Sequence, residues 1–514
     1  MKKKNMLLTF ILLLLVAVAI GALLADRLMP KGMGEPSHML ALHSAGTDLD
    51  RMLAPLLADH PGQTGAVLLS DGLAAFAARV LITRGAGRSL DLQYYMWHHD
   101  LAGRLLMIEI WRAAERGVRV RLLLDDMNAH GQEQQMLALS SHPNIEVRVY
   151  NPMINRGGIR RLLEIVVRAF RVNHRMHNKA WIADGRAAIV GGRNIGDEYF
   201  AAATNTNFHD LDMLLLGSAV TGAGAIFDTF WNSPAVVPIR ELSRRDEKQA
   251  QKLIAETTAL ASGNAAHRYL DRVRSSPDVR AFLARETTIH WVDDIEIVSD
   301  PPQKWSGTDH NQWLASRLSA LLSRAQRAAW LISPYFVPGE SGTAGFLQLR
   351  RQGVAVGVVT NSLAANDVLA VHSGYARHRQ ALLAGNVVLH ELRAQGKSAG
   401  MAGIFGSSGA SLHTKAFVVD GERGFVGSFN LDPRSVNLNT EMGVLFNHAG
   451  LGAAIQAEYQ RLASPALSYE VQLDPNGALS WLDDTTQIDH EPDASLFRRA
   501  TAKALGWLPL DPML

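Results

Sequence analysis

The sequence predicts an α/β protein: two pseudo-symmetric α/β sandwich units with mixed sheets, preceded by an N-terminal transmembrane helix. Three observations carry that reading. A polar signature occurs twice in register, a hydrophobic frame of matched length surrounds each copy, and the chain opens with lysines followed by an apolar stretch.

The first signature reads His177-Asn178-Lys179, then Asp184, then Gly191-Gly192-Arg193-Asn194. The second reads His413-Thr414-Lys415, then Asp420, then Gly427-Ser428-Phe429-Asn430. In both, the aspartate stands seven residues after the histidine and the asparagine seventeen after it. A single His-x-Lys-x4-Asp match arises easily by chance, whereas two copies in register mark a repeat. The frame agrees, because Gly117 precedes His177 by sixty residues and Gly353 precedes His413 by sixty. Apolar runs 118–124 and 354–359 follow those glycines, runs 90–95 and 330–335 end in Tyr95 and Tyr335, and Leu69-Ser70-Asp71 answers Val298-Ser299-Asp300. The repeated unit is therefore close to a whole domain.

Within the first unit, β-rich runs at 89–95, 118–124, 145–150, 179–183 and 187–190 alternate with a helix-period stretch at 101–116. Runs at 328–332, 354–359, 387–392 and 415–419 repeat the pattern, which favours a mixed sheet covered by helices. The expected divisions are an anchor (1–30), a linker (31–60), a first unit (61–240), a connector (241–290), a second unit (291–450) and a C-terminal extension (451–514) expected to pack on the first unit.

A chain of 514 residues is long enough for two domain cores. Its net charge of +2 gives no global argument for nucleic acid, and the absence of cysteine excludes disulfides, thiolate metal sites and a cysteine nucleophile. Lys2, Lys3 and Lys4 precede an uncharged stretch at 6–24, closed by Asp26 and Arg27. Nineteen residues suffice to cross a hydrocarbon core of about 30 Å, and the flanking charge places the start of the chain in the cytoplasm and the catalytic bulk outside. A cleaved signal peptide is the alternative, but no clear small-residue cleavage site follows the apolar run. A basic amphipathic stretch at 159–171 leads into His177 and reads either as an interfacial helix or as a core helix with a solvated basic face.

The residue types fit phosphoryl chemistry. A histidine attacks phosphorus, a second protonates the leaving oxygen, and lysines neutralise the non-bridging oxygens. On a strand, His-x-Lys sets both side chains on one face. Asn194, Ser428 and Asn430 are candidate hydrogen-bond donors to the same oxygens, and Asp210 and Glu441 are candidates to orient the imidazoles. No histidine or carboxylate cluster stands at metal-ligand spacing, so neither metal nor cofactor is expected.

These motifs resemble the phospholipase D superfamily over roughly residues 65–447. The phrases Arg175-Met176-His177-Asn178-Lys179, Gly191-Gly192-Arg193-Asn194-Ile195-Gly196-Asp197 and Val371-His372-Ser373-Gly374-Tyr375 are similar to the C-type group of bacterial cardiolipin synthases within it. The resemblance implies two phospholipase D-like units meeting in one metal-independent site, a phosphohistidine on His177, and His413 as general acid and then base. Lys179 and Lys415 complete the catalytic set with Asp184 and Asp420, and the resemblance makes these aspartates structural or pairing residues away from the phosphate. Gly192 stands where the second copy has Ser428, so the phosphate cradle is expected to be unequal. The implied reaction moves a phosphatidyl group from phosphatidylglycerol or phosphatidylethanolamine to the hydroxyl of phosphatidylglycerol, at a bacterial inner membrane with the catalytic part periplasmic. Hydrolysis to phosphatidic acid, a nuclease or phosphodiesterase activity, and an inert tether are the alternatives.

Other residues read mostly as structural. His98, His99, His130 and His174 are expected on surfaces or loops, Asp125-Asp126 as a capping pair, and Tyr94, Tyr95 and Tyr335 as core aromatics. His372 is a candidate pocket residue, because it follows a strand end where ligand-facing loops are expected.

Overall fold

The computed structural model describes residues 34–42, 46–129, 132–153, 155, 158, 164, 173–243, 246–306, 309–394 and 412–508. The expected anchor and nearly all of the 159–171 stretch lie outside these residues. Among the described residues no helix is long and apolar enough to cross a membrane.

The first sheet contains β1 (Thr64–Leu69), β2 (Ser89–Tyr94), β3 (Arg119–Asp125), β4 (Ile145–Tyr150), β5 (Ala180–Ala183), β6 (Ala187–Gly191), β7 (Asp212–Gly217), β8 (Val236–Pro238) and β9 (His290–Val292) in the order β8-β4-β3-β2-β5-β6-β7-β1-β9. The second contains β10 (Ile295–Ser299), β11 (Ala328–Ile332), β12 (Ala355–Asn361), β13 (Val388–Leu392), β14 (Ala416–Val419), β15 (Arg423–Gly427), β16 (Met442–Asn447), β17 (Ser468–Leu473), β18 (Leu479–Leu482) and β19 (Gln487–Ile488) in the order β10-β16-β15-β14-β11-β12-β13-β17-β18-β19. Parallel strands β2-β3-β4 match β11-β12-β13, and the antiparallel hairpin β5-β6 matches β14-β15. Both sheets are mixed, as the repeat predicts.

Helices α1 (Gly72–Gly85), α2 (Leu101–Glu115), α3 (Val220–Trp231), α4 (Glu247–Ala261), α5 (Asn264–Ser275), α6 (Pro277–Leu283), α7 (Gly339–Arg351), α8 (Leu369–Ala384), α9 (Ala449–Leu462) and α10 (Leu496–Leu505) cover the sheets. α2 shows how its ends are set: the Asp100 carboxylate accepts from Gly103 N at 3.0 Å, and buried Leu105, Leu106 and Ile110 recur on its inner side. One apolar core is shared between the halves, joining Ile182, Val190 and Met213 of the first sheet to Val418, Val426 and Val444 of the second. Burying the most hydrophobic strands against each other fixes the two hairpins, and hence the two signatures, in one interface.

The C-terminal segment differs in part from expectation. β17 pairs with β13 and continues through β18 to β19, so these strands extend the second sheet, and it is α9 that reaches the first half, through Leu451 and Ile455 in the shared core and Arg461 3.5 Å from His209. At the other boundary, β9 returns to pair with β1.

Candidate active site

The two signatures meet across the interface between the halves, and each is fastened to the opposite half by its backbone. His177 N donates to Thr440 O at 2.9 Å, and Thr440 N returns a bond to Arg175 O at 2.9 Å. His413 N donates to His209 O at 2.8 Å. The residue between histidine and lysine joins in: Asn178 Oδ1 accepts from Thr440 Oγ1 at 2.9 Å, and Thr414 Oγ1 donates to His209 O at 3.1 Å. Sequence spacing carries none of this, because the partners lie in the other unit.

The imidazoles are paired in the same crossed manner. His177 Nδ1 lies 2.8 Å from Glu441 Oε2, and His413 Nδ1 lies 2.6 Å from Asp210 Oδ2. Both carboxylates are buried. An ionised carboxylate only accepts, so each Nδ1 carries the proton and each Nε2 keeps its lone pair. Burial opposes ionisation of both acids, yet His177 holds Glu441, and His413 holds Asp210, below the usual range. Burial pushes His177 down to about 4 against the upward pull of Glu441. Burial and then Lys415 push His413 down to about 3. Both rings are thereby held neutral at pH 7.

Lys179 and Lys415 are also buried, and each ammonium donates to the carbonyl of its own histidine. Burial drives Lys179 well below its ordinary value and Lys415 down to about 8. Burial disfavours the charged form of both lysines, so an entering anion that restores it is favoured at this site. Asn194 and Asn430 each have a buried side-chain oxygen that has no hydrogen-bond partner. Asn194 Nδ2 donates to Tyr199 Oη at 3.1 Å.

Ser428 is not a free donor to substrate. Its hydroxyl donates to Glu441 Oε2 and accepts from Met442 N at 3.0 Å, so it steadies the carboxylate behind His177. Gly192 has the matching position behind His413, where an added Cβ would lie 2.1 Å from Asp210 Oδ1. The glycine is required by the close approach of Asp210.

Asp184 and Asp420 stand away from this chemistry. Both occupy the left-handed region, φ 53° and 55°, at the hairpin turns. The Asp184 carboxylate accepts from the backbone of Gly87, Arg88 and Ser89, and Asp420 accepts from that of Gln326, Arg327 and Ala328. Each ties its hairpin to the start of the central parallel strand. They belong to the scaffold and not to the catalytic set.

His372 also departs from expectation. It is buried on α8 with Nε2 3.4 Å from Glu491 Oε1, and Arg379 bonds the same carboxylate at 2.5 Å. His372 lies within α8, on a face covered by the C-terminal segment, and not on a ligand-facing loop at a strand end. His174, expected on a surface or loop, lies in a loop but is buried there, with Nδ1 3.1 Å from Leu438 O.

Several site residues escaped the sequence reading. The Tyr95 ring stands edge-on to His177 at 5.1 Å with the Lys179 ammonium 5.4 Å from its centre, whereas Tyr94 is a true core residue. Tyr199 and Phe208 hold the His413 ring, at 5.2 and 5.5 Å. Tyr335 donates to the Asp367 carboxylate, 2.8 Å from either oxygen, and that carboxylate is among the charges acting on Lys415. Tyr95 and Tyr335 end matching hydrophobic runs, and that equivalence was the available signal. Asp125 does cap, accepting from Met127 N at 2.9 Å, but it also accepts from Met176 N at 2.9 Å and pairs with Arg175, which positions the first signature.

His98, Asp100 and Glu198 bring ligand-type atoms within 4.8 Å of one another, a cluster that sequence spacing did not reveal. Asp100 already accepts from Gly103 N and Asp197 N, and His98 is paired with Glu198 at 3.2 Å, which raises its pKa. The trio acts as an ion pair and caps holding two loops together.

The family described as "Cardiolipin synthase, PLD-like domain" matches residues 82–216 and 318–463, which contain both signatures. Cardiolipin synthase C of Escherichia coli (strain K12) is 39% identical over 468 residues, covering 90% of this chain and 98% of that protein. The chain belongs to the phospholipase D-like family. An uncharacterized protein of Helicobacter pylori (strain ATCC 700392 / 26695) is 31% identical over 80% of this chain and 81% of its own length. Among solved structures, phosphatidylserine synthase of Haemophilus influenzae Rd KW20 superposes with a TM-score of 0.56 at 14% identity, covering 90% of this chain and 99% of that one, a likeness of fold.

Proposed function

We propose that this phospholipase D-like enzyme is a cardiolipin synthase-type phosphatidyltransferase working through a covalent phosphohistidine. The observation that carries the reading is the crossed pairing of His177 with Glu441 and His413 with Asp210. It leaves two Nε2 atoms free beside two buried lysines. Nε2 of His177 attacks the phosphorus of a phospholipid diester, the bond to the headgroup oxygen breaks, and His413 supplies the proton to that oxygen. The acceptor hydroxyl of phosphatidylglycerol then gives its proton to His413 and attacks the phosphohistidine, which frees His177.

His413 must be protonated for the first half-reaction, although burial favours its neutral form. An arriving phosphodiester brings the negative charge that the site lacks. It offsets Lys179 and Lys415 and draws the His413 pKa upward. Those lysines, with the amide groups of Asn194 and Asn430, neutralise the non-bridging oxygens as charge builds. Glu441 and Asp210 stabilise each imidazolium as it forms.

Phosphatidylglycerol, or phosphatidylethanolamine, serves as donor. The relationship to cardiolipin synthase C supports an alcohol as acceptor over water, and the apolar start of the chain supports a membrane-bound enzyme with its catalytic part in the periplasm. The test is purified enzyme in vesicles of both lipids, with mass spectrometry of every phospholipid product. Cardiolipin as the main product supports transfer; phosphatidic acid alone makes the enzyme a hydrolase.

A further inference from the structure

The last helix is apolar on the side that faces solvent. α10 buries Arg498 and Ala502 against the second half, where Arg498 Nε donates to Leu363 O at 2.8 Å and Ser373 Oγ donates to Ala502 O at 2.8 Å. Its opposite side carries Leu496, Phe497, Ala500 and Ala504 at helical spacing, and Trp507 follows one turn on. Leu496 is 77% exposed, Phe497 82% and Trp507 81%. Exposed Lys503 and partly exposed Arg499 flank them. An amphipathic helix on a globular surface turns its polar side outward, and here large apolar side chains take that place.

The position of this face matters as much as its composition. The Arg498 guanidinium also bonds Asn366 O, so α10 clamps the loop at 362–368. That loop carries Asp367, the acceptor for Tyr335 and a neighbour of Lys415. The buried side of α10 thus packs on the loop that walls the second half of the active site, and its apolar side points away from that loop.

We propose that the outward face of α10 is a lipid-docking surface that enters the interface of an anionic phospholipid bilayer and sets the site mouth against it. Tryptophan and phenylalanine at a helix end suit the headgroup level, and flanking cations attract anionic lipid. The inference rests on the reading of the enzyme as one acting on bilayer lipids.

The cysteine-free chain makes a direct test possible. Full-length Ala500→Cys and, as control, Ser319→Cys at an exposed position of the helix Leu314–Leu322 are labelled with a small fluorophore and placed in phosphatidylethanolamine–phosphatidylglycerol vesicles containing a nitroxide-labelled lipid. The label at 500 is expected to lose about half its emission and the label at 319 almost none. Equal quenching at both positions overturns the proposal. So does a label at 500 that is shielded from aqueous iodide yet untouched by the lipid quencher, which puts a second copy or another part of the chain on this face. Phe497→Glu with Trp507→Glu should lower turnover of vesicle lipid about tenfold and leave turnover of a soluble short-chain phospholipid within about twofold. Wild-type enzyme inactive on every phospholipid defeats the functional reading alone, because the quenching result does not depend on turnover.

Discussion

The two halves of the site place a histidine, a lysine and a carboxylate alike, but they support the carboxylate in different ways. Behind His177, Glu441 reaches from the position just before β16 and shares its oxygen with the Ser428 hydroxyl. Behind His413 the shorter Asp210 lies so close to the chain that only Gly192 fits. The difference teaches that the conserved quantity between the halves is the position of the carboxylate oxygen at Nδ1. Side-chain length and the small residue behind it vary together to keep it there. The unequal cradle expected from Gly192 and Ser428 is therefore an inequality of support and not of contact with phosphate.

The largest expected effect tests whether the halves are equally needed. His177→Ala and His413→Ala should each reduce turnover by about a thousandfold or more with the fold intact, because one shared site uses both rings. Substantial activity in either variant would separate the halves. Lys179→Ala and Lys415→Ala should each cost about a hundredfold or more, read as kcat on vesicle substrate.

Next comes the exchange of supports. Gly192→Ser alone should displace Asp210 and cut the rate about a hundredfold, while Gly192→Ser with Asp210→Glu rebuilds the arrangement of the other half and should recover part of the loss. No recovery in the double variant would show that the compensation is not local. Ser428→Ala should cost less, about tenfold, since Glu441 keeps its bond from Ser435.

The scaffold aspartates should behave differently from every residue above. Asp184→Asn and Asp420→Asn should lower stability by about 1–3 kcal/mol each in denaturant titration, with turnover per folded molecule little changed. A collapse of kcat without loss of stability would return them to the catalytic set.

The last effect concerns acid. His177 and His413 have native pKa values of about 4 and 3, below the free value of 6.5. As pH falls through 6.5 the unfolded chain takes up protons that the native chain refuses. Their share of stability is therefore full above 6.5 and is lost on the way down towards those native values. Between pH 7 and pH 5 each should cost about 2 kcal/mol, and His177→Gln should flatten that part of the profile. An unchanged profile would mean that the ring is not held neutral.

Much of this was legible in the sequence because the repeat carries its own control: matched offsets at His177 and His413 locate the signatures, and matched runs locate β2, β3, β11 and β12. Asp210 and Glu441 were legible as candidates, since an imidazole nucleophile needs a carboxylate. What spacing hides is contact across the interface. Ser428 looked like a phosphate ligand until its bond to Glu441 was seen, and His372 looked like a pocket residue until the C-terminal segment covered it. Tyr335 read as a core aromatic, because its partner Asp367 lies on the neighbouring loop and only the parallel pairing of β11 with β12 brings them together.

Trapping the covalent intermediate tests the division of labour between the halves most directly. A phosphorus-labelled phospholipid with a good leaving group is mixed with wild type, His177→Ala and His413→Ala, quenched in base within milliseconds, and the labelled peptide is identified. The account predicts phosphohistidine at His177 in wild type and in His413→Ala, and none in His177→Ala. Label on His413, or label surviving in His177→Ala, would contradict it.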